Sequence, residues 1–284
     1  MKLIATDLDG TLLNENGEIS QTNANMLKEA IRQGIQVVVA TGRSYQSANN
    51  VLEPIGLKLP IISLNGASFY TANGKKVRSV PLSKNLSSKI VDECKSKQVY
   101  FELYTNKGVY SPNRAEFIDV MVNIMLSANP AMSREEIEKR AELRFQEEDF
   151  NIINDFPALI NNNDIEIYKA LAFSLEVSVL DGIRNTFIDT SDIVITSSGY
   201  DNLEFNHPEA QKGIALSLFA AENNINLNDV MAIGDNFNDL SMLEIVGHSV
   251  AMGNAEQTIK NACSTVTAKN SEDGVAKAIE QILN

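Results

Sequence analysis

The sequence predicts an α/β fold: a parallel-sheet domain assembled from both ends of the chain, with an α+β domain inserted between them. Three observations lead there. Short apolar runs at residues 3–5, 35–40 and 60–64 end in polar or glycine-rich residues, with an amphipathic stretch at 22–33 between the first two. Such runs, apolar on both faces and alternating with helices, read as strands of a parallel sheet. The alternation returns late, with helix-like 212–223, strand-like 230–233, helix-like 238–246 and a closing helix near 274–283. Between the two ends the texture changes.

In that middle stretch, residues 69–80 and 99–110 read as hairpin strands, with turn signals at Asn73-Gly74 and Asn106-Lys107-Gly108. Residues 114–149 are helical in character, and the charge crowding from Arg134 onward reads as a solvated helix face. Strand-like 170–175, helix-like 179–190 and strand-like 193–197 complete a mixed block. The expected domains are therefore 1–82 with 207–284 as the core, and 83–206 as the insertion. No internal repeat or low-complexity segment interrupts this reading.

With 284 residues, 44% of them hydrophobic and 21% charged, the chain has enough apolar material for a sizeable core. A formal charge of -13 argues against non-specific nucleic-acid or anionic-membrane partners, which the average surface field would repel. An anionic ligand would have to be attracted locally, by a metal or a few cations. Nowhere do about 18 apolar residues run together, and the N-terminus meets Asp7 after a very short apolar run, unlike a signal peptide. A cytoplasmic location is the expectation. Cys94 and Cys263 read as free buried thiols, and nothing specifies an oligomeric state.

In open α/β sheets, ligands sit beyond the carboxyl ends of the strands. Three strand-like runs here end in reactive groups: Asp7 and Asp9 after the first, Thr41-Gly42-Arg43 after the second, and Gly234-Asp235 with Asp239 after the late one. At i and i+2 of an extended segment, Asp7 and Asp9 start on one face, where two carboxylates repel unless a proton or cation intervenes. Asp235 adds a third. A hard divalent cation resolves the repulsion, and Mg²⁺ fits because it needs few protein carboxylates and leaves positions for water and phosphate. A calcium loop starting at Asp7 would have Glu18 at its twelfth position, but its sixth is Leu12 where glycine is needed.

These motifs resemble the haloacid dehalogenase (HAD) superfamily, specifically Cof-type phosphatases with a large α/β cap (class IIB). The resemblance rests on Asp7-Leu8-Asp9-Gly10-Thr11, on Thr41 in Ala40-Thr41-Gly42-Arg43, on Lys212 in Gln211-Lys212-Gly213, and on Gly234-Asp235-Asn236-Phe237-Asn238-Asp239. The Ser63-Leu64-Asn65-Gly66-Ala67 segment also looks like this subfamily. It implies a Rossmann-like parallel-sheet core with an inserted α+β cap domain. It further implies that Asp7 attacks phosphorus and that Asp9 protonates the leaving alcohol, then deprotonates the attacking water. Asp9 is then expected to be held protonated by burial and by its carboxylate neighbours.

By the same resemblance, Thr41 and Gly42 hold phosphoryl oxygens and Lys212 holds nucleophile and phosphate together. Asp7, Asp235 and the backbone carbonyl of Asp9 ligate Mg²⁺, Asp239 orients, and Asn238 adds a polar contact. Arg43 reaches the substrate or pairs with a core carboxylate. A Pro-Lys-Gly-Val-x-Lys-Gly run of many relatives is here His207-Pro208-Glu209-Ala210-Gln211-Lys212-Gly213, which keeps the lysine and loses a neighbouring cation. His207 and His248 read as loop or packing residues. Glu102, Tyr104, Tyr168 and Lys169 are cap candidates by polarity alone.

The expected activity is Mg-dependent hydrolysis of small phosphorylated metabolites, sugar phosphates foremost, with the cap selecting the leaving group. A phosphomutase or phosphotransferase shares every core residue and differs only in the acceptor. An idle regulatory protein on the same fold would be marked by loss of Asp7, which is present.

Overall fold

The computed structural model describes residues 1–128, 133–147, 149–197 and 201–283. The chain forms two compact units: Met1–Ser79 with the segment from Glu209 onward, and Val80–Pro208.

The first unit is built on an eight-stranded sheet ordered Thr265–Val266, His248–Ala251, Val230–Gly234, Leu3–Thr6, Gln36–Ala40, Ile61–Ser63, Ser68–Tyr70 and Lys76–Ser79. The first six run parallel, and the last two are joined on by antiparallel pairings. Strand alternation divides the apolar runs between two cores. Ile4, Val37, Val39, Met231 and Ile233 pack on one face with Ala24, Leu27, Val275 and Ile279 from the Gln21–Arg32 and Gly274–Leu283 helices. Leu3, Ala5, Val38, Ala40 and Ala232 pack on the other with Ala215, Leu216 and Phe219 of the Lys212–Glu222 helix. Helices on both sides explain why these strands carry no polar alternation. Ser20 starts its helix by accepting from the amide of Asn23, and Ser44 does the same with Ser47.

One core element differs from expectation. The helix anticipated over 238–246 is a tight turn at Phe237–Asp239 followed by a single helical turn, Leu240–Leu243. The helical turn closes at Glu244, and just before the His248–Ala251 strand the backbone of Gly247 packs so closely on Asn228 that an added Cβ would lie 2.4 Å from the Asn228 carbonyl oxygen. That strand, Thr265–Val266 and the Tyr45–Leu52 and Gln257–Ala262 helices carry too weak a pattern to be read in advance.

The second unit is a six-stranded sheet ordered Val194–Thr196, Asn202–Asn206, Ile167–Phe173, Tyr100–Thr105, Gly108–Ser111 and Phe150–Ile152. Its pairings are antiparallel except the last. Phe101, Leu103, Ala170, Ala172, Leu203 and Phe205 form its apolar face against the Lys84–Ser96, Phe156–Asn161 and Val177–Thr186 helices. Register puts Tyr104, Lys169 and Asn206 in one row on the opposite face. The strand expected at 170–175 begins earlier, at Ile167, and the helix expected at 179–190 is shifted to Val177–Thr186. The anticipated helical stretch 114–149 appears as Arg114–Ala128 and Arg134–Glu147, while its residues 129–132 and 148 lie outside the described residues. Both hairpin turns occur where the glycines are, Gly74 at φ 74° and Gly108 at φ 107°. Among the described residues, no helix is long and apolar enough to cross a membrane.

Candidate active site

Leu3–Thr6 and Val230–Gly234 are adjacent parallel strands, so their carboxyl ends deliver Asp7 and Asp235 to the same edge of the sheet. The amide of Asp7 still donates to Ile233 O, 3.0 Å away, which fixes the start of the loop. The chain then turns over Leu8–Leu12, where Gly10 takes φ 75°. A Cβ on Gly10 would lie 2.3 Å from Asp235 Oδ2, so only glycine lets the first loop approach this carboxylate.

One buried cation organises the acids. Lys212, at the start of its helix and fully buried, donates to Asp7 Oδ1 at 2.7 Å and to Asp239 Oδ1 at 2.6 Å. Asp239 Oδ2 accepts from the amides of Asp235 and Asn236, each at 3.0 Å. Both Asp239 oxygens are thus engaged. Asp235 Oδ1 accepts from the Thr11 hydroxyl at 3.0 Å, and Asn254 Nδ2 lies 3.4 Å from Asp235 Oδ2 while donating to Gly10 O at 2.8 Å. Close helix packing sets the lysine: a Cβ on Gly213 would lie 1.9 Å from Ser241 O.

Carboxylate oxygens of Asp7, Asp235 and Asp239 lie within 4.8 Å of one another. Three carboxylates against a single ammonium leave an excess of negative charge in a largely buried space, and an all-oxygen donor set suits a hard divalent cation. The residues therefore fit Mg²⁺. With Asp239 occupied by Lys212 and two amides, Asp7 and Asp235 are the carboxylates with capacity to ligate it.

Burial pushes the Asp7 carboxyl well above the usual range, with Lys212 opposing and Asp239 and Asp9 reinforcing the rise. For Lys212, burial alone would lower the pKa, but Asp239 and Asp7 more than reverse it and hold the ammonium above the ordinary lysine value. Asp235 is pushed up to about 6, first by burial and then by Asp239, against the Thr11 hydrogen bond and Lys212. The sign of its effect on stability follows. Native Asp235 takes up a proton near pH 6, whereas an unperturbed carboxyl does so near 3.8, so over that interval the folded state binds more protons and gains stability as pH falls. In chelator, the melting temperature of wild type minus that of Asp235→Asn is expected to rise between about pH 8 and about pH 5. Over the same interval the Mg²⁺-induced increase in wild type should shrink, because proton and metal compete for one carboxylate. A flat difference on both counts would contradict the assignment.

Asp9 departs from expectation. Its side chain is 58% exposed, and both oxygens accept from Arg43, Nε at 2.8 Å and Nη2 at 2.6 Å. Burial does not protect it, because it follows Asp7 at the open end of the strand; a bidentate ion pair occupies it instead. Arg43 is accordingly a carboxylate partner in this structure. Thr41 is buried, and its Oγ1 accepts from the Arg43 amide at 3.1 Å. Gly42 stands close to Asn65: an added Cβ would be 3.2 Å from Asn65 Oδ1 and 3.8 Å from Asn238 Nδ2. Asn238 itself donates to Asn65 Oδ1 at 3.1 Å.

Sequence reasoning left Thr11, Asn65 and Asn254 off the candidate set. Thr11 closes the first motif and Asn65 lies in the Ser63–Ala67 segment, so each had a local signal, whereas Asn254 had none. Asn65 adopts φ 56° and its amide donates to Thr41 O, which draws the turn after the third strand onto the Thr41 loop. The four polar candidates of the second unit, Glu102, Tyr104, Tyr168 and Lys169, are buried: Glu102 accepts from Tyr100 and Tyr104, Tyr168 donates to Glu166, and Lys169 stands 4.4 Å from the Tyr104 ring centroid.

A family model described as haloacid dehalogenase-like hydrolase matches residues 4–279. Phosphatase YwpJ of Bacillus subtilis is 37% identical over 285 residues, covering all of both chains. A 5-amino-6-(5-phospho-D-ribitylamino)uracil phosphatase of the same organism, YwtE, is 34% identical and covers all of this chain and 99% of the relative. The solved structure of a haloacid dehalogenase-like hydrolase from B. subtilis superposes with TM-score 0.88 at 37% identity, covering 99% of this chain and all of that one. The chain belongs to the haloacid dehalogenase-like hydrolases, as one of their phosphatases.

Proposed function

We propose that the protein hydrolyses small phosphorylated metabolites, sugar phosphates foremost, through an aspartyl-phosphate on Asp7 with Mg²⁺ as cofactor. The observation that carries this reading is the Lys212 ammonium held between Asp7 and Asp239 beside Asp235. A nucleophile, a fixed cation and an excess of carboxylates meet at the carboxyl edge of the sheet, the arrangement that in-line phosphoryl transfer requires. The relatives support the leaving-group class: YwtE is named for a substrate whose phosphate is carried on a ribityl chain.

In this reading an Asp7 carboxylate oxygen forms the bond to phosphorus as the ester P–O bond breaks. The departing oxygen takes a proton from Asp9. Water then loses a proton to Asp9 and attacks the aspartyl phosphate, which releases inorganic phosphate and restores Asp7. Bound to Asp7, Asp235 and the Asp9 carbonyl, Mg²⁺ would neutralise the repulsion between the carboxylate nucleophile and the phosphate. Lys212 keeps Asp7 in one rotamer and offers charge to the phosphoryl oxygens, while Thr41, Gly42 and Asn238 orient them. Arg43 has a double part. It holds both Asp9 oxygens until the anionic substrate competes for the guanidinium, and Asp9 is then free to turn to the leaving oxygen. Residues 83–206 act as the substrate-selecting cap, and the setting is cytoplasmic.

The test is a screen of phosphorylated metabolites with and without Mg²⁺, with Asp7→Asn as the blank. Release of phosphate should depend on Mg²⁺ and stop with chelator. Activity indifferent to chelator would sink the mechanism, and isomerised monophosphate formed from a sugar bisphosphate would make the enzyme a mutase.

A further inference from the structure

We infer that Arg78 is a positioning residue for the phosphatase reaction: one guanidinium joins the turn that carries Asn65 to the segment that leads into Lys212. Arg78 lies on the edge strand Lys76–Ser79, paired with Phe69, far in sequence from every motif of the site. Its Nε donates to Gly66 O at 3.2 Å and its Nη2 to Glu209 O at 2.8 Å, with the Glu209 carboxylate 3.9 Å away. Only 15% of the Arg78 side chain is exposed, although the bond to Glu209 O lies at the surface.

Each accepting carbonyl belongs to a different half of the site. Gly66 follows Asn65, whose amide donates to Thr41 O and whose Oδ1 accepts from Asn238. Glu209 stands three residues before Lys212, which holds Asp7 and Asp239. The two segments also touch directly: a Cβ on Gly66 would lie 2.4 Å from Gln211 O. A single guanidinium supplies donors to carbonyls of both segments. Position in the chain adds weight. Arg78 lies next to Ser79, where the chain leaves the catalytic unit, and Glu209 is where it returns. The phosphate-orienting amide side and the lysine side of the site thus share one fastening, made by a planar group with several fixed donors that lysine does not reproduce.

This inference rests on the phosphatase reading above, and its test separates the two. Arg78→Lys, Arg78→Met and Arg78→Gly are compared with wild type and with Asp7→Asn as the blank, for kcat, KM and melting temperature on the best substrate of the screen. The expected result is a fall in kcat of ~10- to 100-fold in all three, with KM within about threefold, since a displacement of about 1 Å remote from the chemistry can cost this much. Charge alone should not suffice, so Arg78→Lys stays impaired. Millimolar guanidinium chloride, well below denaturing concentration, should restore a several-fold higher kcat to Arg78→Gly and leave Arg78→Met unchanged. Hydrogen exchange at residues 209–213 and 64–66 should quicken in Arg78→Met, whichever substrate proves right. A kcat within twofold of wild type in Arg78→Met overturns the inference, and so does a loss explained wholly by a smaller folded fraction. If wild type and Asp7→Asn prove equally inactive, the phosphatase reading has failed; unchanged exchange in both segments then overturns the positioning role independently.

Discussion

Replacing Asp7 by asparagine is expected to remove hydrolysis of every substrate, by ~10⁴-fold or more, and to make the metal-free protein more stable. The two effects have one origin. The carboxylate is buried among Asp239, Asp235 and Asp9, and its charge is disfavoured in the folded state by burial above all. The isosteric amide keeps an oxygen for Lys212 and removes the charge, leaving Lys212 and Asp239 as a neutral pair. In chelator the variant should melt higher than wild type at pH 7, and the increment produced by Mg²⁺ should be much smaller, because a ligand has been lost. Calorimetry with and without Mg²⁺ reads both effects. A variant that melts lower in chelator, or that keeps the full Mg²⁺ increment, would contradict the account. Stability surrendered at a reacting group is a common cost of function.

Replacing Lys212 by methionine should act in the opposite direction on stability and in the same direction on rate. Methionine fills much of the space occupied by the lysine stem, so the surrounding packing is little changed, but Asp7 and Asp239 lose their shared cation. Leaving buried carboxylates without a partner costs ~3–5 kcal/mol, so in chelator the catalytic unit should melt well below wild type. Mg²⁺ should restore a larger fraction of stability to this variant than to wild type, since the divalent charge then supplies compensation the ammonium no longer gives. Turnover should fall ~10²- to 10³-fold at saturating Mg²⁺, the order expected for removing one preorganised charge from a phosphoryl-transfer site. Wild-type stability in chelator would mean that the ion pair is not a determinant of the fold. Turnover within tenfold of wild type would mean that Lys212 does not hold the reacting groups.

Several parts of this fold were legible because their cause is local. Leu3–Thr6, Gln36–Ala40 and Val230–Gly234 are buried on both faces, and unbroken apolar runs declare that without any tertiary knowledge. Glycines at Asn73-Gly74 and Asn106-Lys107-Gly108 marked their turns for a comparable reason, a backbone geometry that other residues resist. His248–Ala251 and Thr265–Val266 were not legible. They are short strands held by register with a neighbour, and Thr265–Val266 is exposed. The helix expected after Asp239 ends at Leu243, and the chain then packs Gly247 on Asn228, a residue no periodicity connects to it.

At the site the same division holds, residue by residue. Position at the ends of strand-like runs brought Asp7, Asp9, Asp235 and Asp239 under suspicion, because ligands of open α/β sheets sit beyond those ends. The number of residues lying between the motifs did not matter to that reading. What the chain order left open was the environment of each acid. Asp7 and Asp9 are two residues apart, yet one is buried against a lysine and the other is exposed and paired with Arg43. Asn254 and Arg78 were invisible for the same reason, since each acts by reaching a backbone carbonyl that any residue could present.

By itself, then, the sequence determined the α/β class and marked the strand ends after which the acids stand, because hydrophobic pattern and residue type are properties of short segments. Only the tertiary structure decided which acids share the ammonium, which one titrates near pH 6 and which one stands in solvent. Burial and Coulomb energy depend on distances among groups more than 200 residues apart, and those distances exist only once the sheet has formed.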